Sequence, residues 1–219
     1  MEGIGTTEIL DSILLALAAF GLGACPFSLW VGRWLLNKDI RRYGDGNPGA
    51  TNVFRAGSTK AGIVALALDM AKGTPFVLLA YLGLGLPQIA VMAVGLSAIL
   101  GHAYSPLLRF KGGKALAVTG GVLLALPQHE IVISSLLLTS LGFLLTENDA
   151  WPAIFGITGS LLYLLITKGV ALEPLFMACV LSILVIKYRN DLRAIPKLTI
   201  RPLTWLRDRK VNKAAHVGH

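Results

Sequence analysis

Charged residues are scarce in this chain. Asp, Glu, Lys and Arg make up 15% of its 219 residues, against about 25% in a soluble globular domain. The shortfall is concentrated in apolar runs such as Ile13 to Phe20 and Leu136 to Leu145. That excludes an ordinary water-soluble fold, and it excludes disorder, which needs high charge and few apolar residues. Cysteine is nearly missing as well. Cys25 and Cys179 each sit inside an apolar run, so neither a disulfide framework nor a metal site is expected. Residues 1–8 carry Glu2 and Glu8 but no basic residue, so no cleavable signal peptide is expected. No internal repeat or low-complexity tract stands out.

What is present is apolar: 54% of residues are hydrophobic, with a mean hydropathy of +0.67. This composition predicts an all-α, polytopic membrane helix bundle, because a lipid-exposed backbone must satisfy its own hydrogen bonds. A crossing needs about 20 apolar residues, and seven candidates are readable. They run from Ile9 to Leu36, Ala61 to Leu86, Ile89 to Tyr104, Ala115 to Leu126, Ile131 to Leu145, Trp151 to Ile166 and Leu175 to Ile186. Several fall short of the ideal length, so five to seven crossings is the range. Pro26 lacks an N–H and predicts a break or kink in the first candidate.

The net charge of +8 would suggest a polyanion partner in a soluble protein. In a multispanning chain its placement matters more, and no nucleic acid is expected. Of twenty basic residues, five lie between Asn37 and Lys60, three between Leu107 and Lys114, and nine from Lys187 onward. Seven spans put these segments on one face, which the positive-inside rule makes cytoplasmic, leaving the N-terminus outside. A membrane domain over 1–186 and a basic cytoplasmic tail over 187–219 follow. Trp205 and Leu206 are candidate anchors of that tail to the anionic leaflet, and a purely topogenic tail is the alternative.

Two polar loops on that face concentrate the chemistry. The first reads Gly44, Asp45, Gly46, Asn47, Pro48, Gly49, Ala50, Thr51, Asn52, with Arg55 three residues on. Its glycines allow backbone N–H groups to converge on an anion. Asn47, Thr51 and Asn52 can add hydrogen bonds, and Arg55 a bidentate fork. A plain polar turn is the alternative. The second loop brackets Gly112 and Gly113 between Lys111 and Lys114, with His102 upstream at the end of a span. Anchoring at the membrane face explains the lysines equally well. Asp69 and Lys72 stand three apart and share one helical face at membrane depth, where ionisable groups default to a functional reading. His102 is a candidate general base, or a helix-end histidine bonded to backbone.

On these residues the chain resembles the bacterial membrane acyltransferases that acylate glycerol 3-phosphate from acyl phosphate, the PlsY type. That family carries a Gly-Ser-Gly-Asn-x-Gly-Ala-Thr-Asn loop followed by arginine, matched by Gly44 to Asn52 and Arg55. Its Asp-x-x-Lys-Gly is matched by Asp69, Lys72 and Gly73, its Gly-His by Gly101 and His102, and its Phe-Lys-Gly-Gly-Lys by Phe110 to Lys114. The shared order and spacing are far more specific than any one match. Four departures stand out. The loop serine is Asp45. A glycine after the last lysine is Ala115. The serine of a Tyr-Val-Ser-Leu-like stretch falls at Ala150, after Asn148 and Asp149. A His-Arg-x-Asn stretch corresponds at best to Tyr188, Arg189, Asn190 and Asp191.

The resemblance implies seven spans with the N-terminus outside, in a bacterial inner membrane. It implies transfer of an acyl group from acyl phosphate to the sn-1 hydroxyl of glycerol 3-phosphate, giving lysophosphatidate and phosphate, with no cofactor and no metal. Carried over residue by residue, it gives substrate binding to Gly44, Asp45, Gly46, Asn47, Gly49, Thr51, Asn52 and Arg55, with Asp69, Lys72, Gly112, Gly113 and Arg189. It makes Lys111, Lys114 and His102 the catalytic candidates. A diverged, non-catalytic binding subunit and an anion transporter are the alternatives.

Overall fold

The computed structural model describes residues 5–146 and 150–195. Asn148, Asp149 and the tail residues Trp205 and Leu206 lie outside the described residues. The described chain is helical, with no β-strand element. We number its α-helices α1 (Thr6–Ala24), α2 (Phe27–Leu36), α3 (Ala50–Arg55), α4 (Thr59–Ala71), α5 (Pro75–Leu78), α6 (Gln88–Ala103), α7 (Leu116–Ala125), α8 (His129–Leu145), α9 (Ala150–Lys168) and α10 (Leu172–Tyr188). Each expected apolar segment is helical, and α6 to α10 match the expected ends to within three residues.

The break at Pro26 is present: α1 ends at Ala24 and α2 starts at Phe27. A broken helix frees carbonyls that must find donors at membrane depth. Here Ser105 Oγ donates to Ala24 O at 2.6 Å and Lys72 Nζ to Cys25 O at 2.9 Å. The sequence reading expects an unbroken helix from Ala61 to Leu86, and the structure departs from it. That segment interrupts after Ala71, restarts at Pro75, and finishes as a π-helical turn over Leu79–Gly83. Pro75 explains the restart, since it takes the first helical position where no N–H is needed. Ser58 starts α4 by accepting from Ala61 N at 3.1 Å.

Among the described residues four helical stretches are long and apolar enough to cross a bilayer: Thr6–Leu36, Thr59–Gly83, Gln88–Leu108 and Ala150–Lys168. Leu116–Ala125 and His129–Leu145 are shorter. At 1.5 Å per residue, ten residues rise only about 15 Å, and most of α7 is buried by its neighbours. Its Val118 and Val122 belong to a core shared with Val94 and Ile99 of α6 and Met177 and Val180 of α10. The outer surface carries exposed Leu17, Leu82, Leu136, Leu137 and Ile166, side chains that lipid, not water, accommodates.

Helices pack through small residues, as lipid-embedded helices do. A Cβ at Gly101 of α6 would run into the Phe20 backbone carbonyl of α1, so α1 and α6 touch backbone to backbone. The second half of α4, the starts of α7 and α9 and the ends of α6 and α10 line one cavity. α6 and α10 therefore end where α7 and α9 begin, and residues of the segments 37–58, 104–115 and 188–195 gather at that end.

Candidate active site

The first polar loop is a built scaffold. Asp39 caps the 3-10 turn Ile40–Arg42, accepting from Arg41 N at 3.1 Å and pairing with Arg41 Nη2 at 2.6 Å. Gly44 and Gly46 then adopt left-handed φ of 55° and 73°, a conformation that costs other residues about 1–2 kcal/mol. At Gly44 a Cβ would also strike Asn52 Oδ1, 2.5 Å away. Asn52 is 1% exposed. Its Nδ2 donates to Asp45 Oδ1 at 2.8 Å and Asn47 O at 2.9 Å, and its Oδ1 accepts from Arg55 Nη1 at 3.2 Å. Asn52 thus holds the loop's shape.

Asp45 is the focus of this scaffold. Its Oδ1 also accepts from Asn47 N at 3.1 Å and lies 3.9 Å from Arg55 Nη1. Its Oδ2 pairs with Lys114 Nζ, from the second loop. Burial alone would raise the Asp45 pKa. The hydrogen bond from Lys114, the N–H of Asn47, the charge of Lys114 and the Asn52 amide outweigh burial and hold the carboxyl below its usual value. Lys114 also pairs with Asp191 Oδ2 at 2.9 Å, and its ammonium lies 4.9 Å from the centroid of the Tyr188 ring.

Deeper in the bundle, Asp69 and Lys72 of the second span are almost fully buried. Lys72 Nζ stands 2.9 Å from Asp69 Oδ1, in ion-pair contact without hydrogen-bond alignment. Ser28 Oγ donates to Asp69 Oδ2 at 2.5 Å. His102 is buried beside them. The glycine pair now has a structural reason. A side chain at Gly113 would collide with His102 Nε2, and one at Gly112 with the His102 carbonyl, while Gly113 N donates to His102 O at 3.1 Å. The loop is clamped from α10 as well. Lys187 Nζ donates to Ala103 O at 2.7 Å and to Gly112 O at 3.0 Å.

These segments enclose a cavity of about 510 Å³. Eight of the residues anticipated from the sequence line it: Asp45, Asn47, Gly49, Thr51, Arg55, Asp69, His102 and Lys114. Gly44, Gly46, Asn52, Lys72, Gly112 and Gly113 stand behind the wall as supports. Lys111 and Arg189 are exposed and outside the lining. Tyr188 and Asp191 line the cavity without having been singled out as site residues, since only the packing of the α10 end against Lys114 reveals them. Leu66, Leu116, Ala117 and Ala150 add an apolar part to the wall. Among the described residues no group of three or more His, Cys, Asp or Glu is placed to hold a metal.

The fold and the site define a class: a multi-pass helical membrane protein with an anion-handling cavity at one end of its bundle. Residues 13–197 match the glycerol-3-phosphate acyltransferase family, and the chain belongs to that family. A glycerol-3-phosphate acyltransferase of Lactococcus lactis subsp. lactis (strain IL1403) is 32% identical over 194 residues, covering 85% of this chain and 91% of the relative. The fold is similar to crystal structures of PlsY (YgiH), described as an integral membrane glycerol 3-phosphate acyltransferase. Its glycerol 3-phosphate form matches with a TM-score of 0.76 at 27% identity, covering 83% of this chain and 90% of that one. Its lysophosphatidic acid form matches with a TM-score of 0.74 at 26% identity over the same shares. The family and the all-α membrane architecture expected from the sequence are borne out.

Proposed function

We propose that this protein transfers an acyl group from acyl phosphate to the sn-1 hydroxyl of glycerol 3-phosphate. The observation that carries the reading is Lys114. Its ammonium shares one cavity with the Arg55 guanidinium, Asn47 and Thr51, donor types that phosphate groups use, although two carboxylates pair with it in this structure. Family membership supports it, as does the likeness to PlsY in forms with glycerol 3-phosphate and lysophosphatidic acid.

Acyl phosphate is an activated mixed anhydride, so an enzyme nucleophile is not required. The sn-1 oxygen attacks the acyl carbon and forms the ester bond. The bond between that carbon and the bridging oxygen breaks, and phosphate leaves with the electron pair. Lys114 and Arg55 neutralise the departing charge, while the Asn47 to Thr51 turn positions a phosphate group. His102 faces the cavity and is the candidate acceptor for the hydroxyl proton, and the phosphate dianion is the other. Lys111, which is exposed, belongs to long-range attraction of anions at the cavity mouth.

The same reading places seven crossings in a bacterial inner membrane, with the basic end and the cavity facing the cytoplasm. The acyl chain then lies along the Leu66 and Leu116 side of the cavity, between helices. The tail over 187–219 is assigned to the cytoplasmic leaflet by its charge. Detergent-purified protein given radiolabelled glycerol 3-phosphate tests the reading. Label should move into extractable lysophosphatidate with palmitoyl phosphate. Incorporation from palmitoyl-coenzyme A alone would overturn acyl phosphate as the donor.

A further inference from the structure

The first loop is folded as an anion receptor, and its own side chain is the anion in it. Asp45 Oδ1 takes the Asn47 N–H at 3.1 Å and the Asn52 amide at 2.8 Å, with Arg55 Nη1 at 3.9 Å. Its Oδ2 takes Lys114. A backbone N–H, an amide, a guanidinium and an ammonium are the donors that a phosphate monoester uses. A carboxylate satisfies them with one negative charge, where a phosphate dianion would bring two.

The charge balance of the cavity gives this consequences. Asp45 and Asp191 line it together with Arg55 and Lys114, while Asp69 is paired with Lys72, so a phosphate group entering without any exchange would meet cations already neutralised. Lys114 is held from two sides, by Asp45 Oδ2 and by Asp191 Oδ2. Loss of one partner therefore leaves Lys114 paired with the other, still within the cavity wall. The Asp45 side chain is only partly buried and lies between Gly44 and Gly46, residues that allow the loop to turn it outward.

We propose that Asp45 is a built-in occupant of the phosphate seat, displaced by the phosphate of an incoming substrate while Asp191 keeps Lys114 in place. Asp45 is thus a specificity-determining residue: it sets the affinity for phosphate-bearing ligands below what the same cradle would give when empty. The identity of the incoming group rests on the acyl-transfer reading above, and both substrates of that reaction carry the shared chemistry, a phosphate monoester. An uncharged polyol offers nothing to exchange with Asp45 and is not favoured by its removal.

The test compares the full chain in detergent with Asp45→Ser and the near-isosteric Asp45→Asn. Binding of inorganic phosphate is measured by calorimetry, and the KM of each substrate by phosphate release. Both variants should bind inorganic phosphate about tenfold more tightly, the equivalent of one charge-assisted hydrogen bond no longer in competition. The KM of whichever substrate uses the seat should fall by a similar factor, with kcat changing less, a split that a general loss of structure would not produce. Unchanged or weaker phosphate binding in both variants, with unfolding midpoints like that of the parent, would overturn the proposal. Tighter phosphate binding in variants of a protein that transfers no acyl group would uphold the role of Asp45 and overturn the acyl-transfer reading instead.

Discussion

Lys72 reaches from the second span to the carbonyl oxygen of Cys25, 2.9 Å away, at the point where Pro26 breaks the first span. One buried ammonium thus repairs a helix end while neutralising Asp69. Because Asp69 lines the cavity, the repair of the backbone and the wall of the site are the same contact. Lys72→Met leaves a buried carboxylate unpaired, which costs about 3–5 kcal/mol. The unfolding midpoint in detergent should drop sharply, and adding Asp69→Asn should recover part of the loss. A Lys72→Met protein as stable as its parent would mean that the pair does not hold this junction.

Gly113 tests the second loop. Gly113→Ala drives a methyl group into the His102 ring, so turnover should fall by at least about a hundredfold if the loop moves 1 Å from its place. Gly120→Ala is the control, because its Cβ would stand 3.6 Å from the nearest neighbour, Met70 Cε, and should leave activity near the parent level. Equal activity in the two variants would show that contact with His102 does not set the loop.

How much of this was legible beforehand differs from residue to residue. Apolar runs located the long helical segments, because exclusion of backbone from lipid leaves helices as the way to satisfy it, whereas the short α3 lies in what read as a polar loop. The break at Pro26 was visible in one residue, whereas the interruption after Ala71 was not, since Gly73 and Thr74 only become a break once Pro75 is seen at a helix start. In the site, Asp45 and Lys114 were legible as members of two loops. Their ion pair was not, because 69 residues separate them. Asn52 was read among the substrate-binding residues and stands behind the wall. Polarity in a sequence marks a group that needs a partner without saying whether that partner is protein or ligand. Lys187, which clamps the Gly112 carbonyl, was counted with the basic tail for the same reason.

Ala115 stands where the resembled family has glycine, and it holds a left-handed φ of 66° immediately before α7. An L-residue there is strained by about 1–2 kcal/mol. Ala115→Gly should therefore raise stability by about 1 kcal/mol, part of the relief being offset by the freer unfolded chain. Calorimetric unfolding of the two proteins checks it, and a lower midpoint in the variant would contradict the strain.

The carboxyl of Asp45 titrates below its ordinary 3.8. A depressed native pKa means that the contribution of its ion pair is complete above the unfolded value and is lost as pH falls through the native one. The difference in unfolding midpoint between the parent and Asp45→Asn should then be constant from about pH 5 to 8 and change only below 3.8. A transition in that difference near neutral pH would show that Lys114 does not hold Asp45 ionised.

The most direct measurement is inorganic phosphate release from palmitoyl phosphate by the purified protein, with and without glycerol 3-phosphate, beside a folded Lys114→Ala variant. Release that requires glycerol 3-phosphate, matches lysophosphatidate mole for mole, and falls at least about a hundredfold without Lys114 is the expected result. Release independent of glycerol 3-phosphate, or undiminished in Lys114→Ala, would contradict acyl transfer at this cavity.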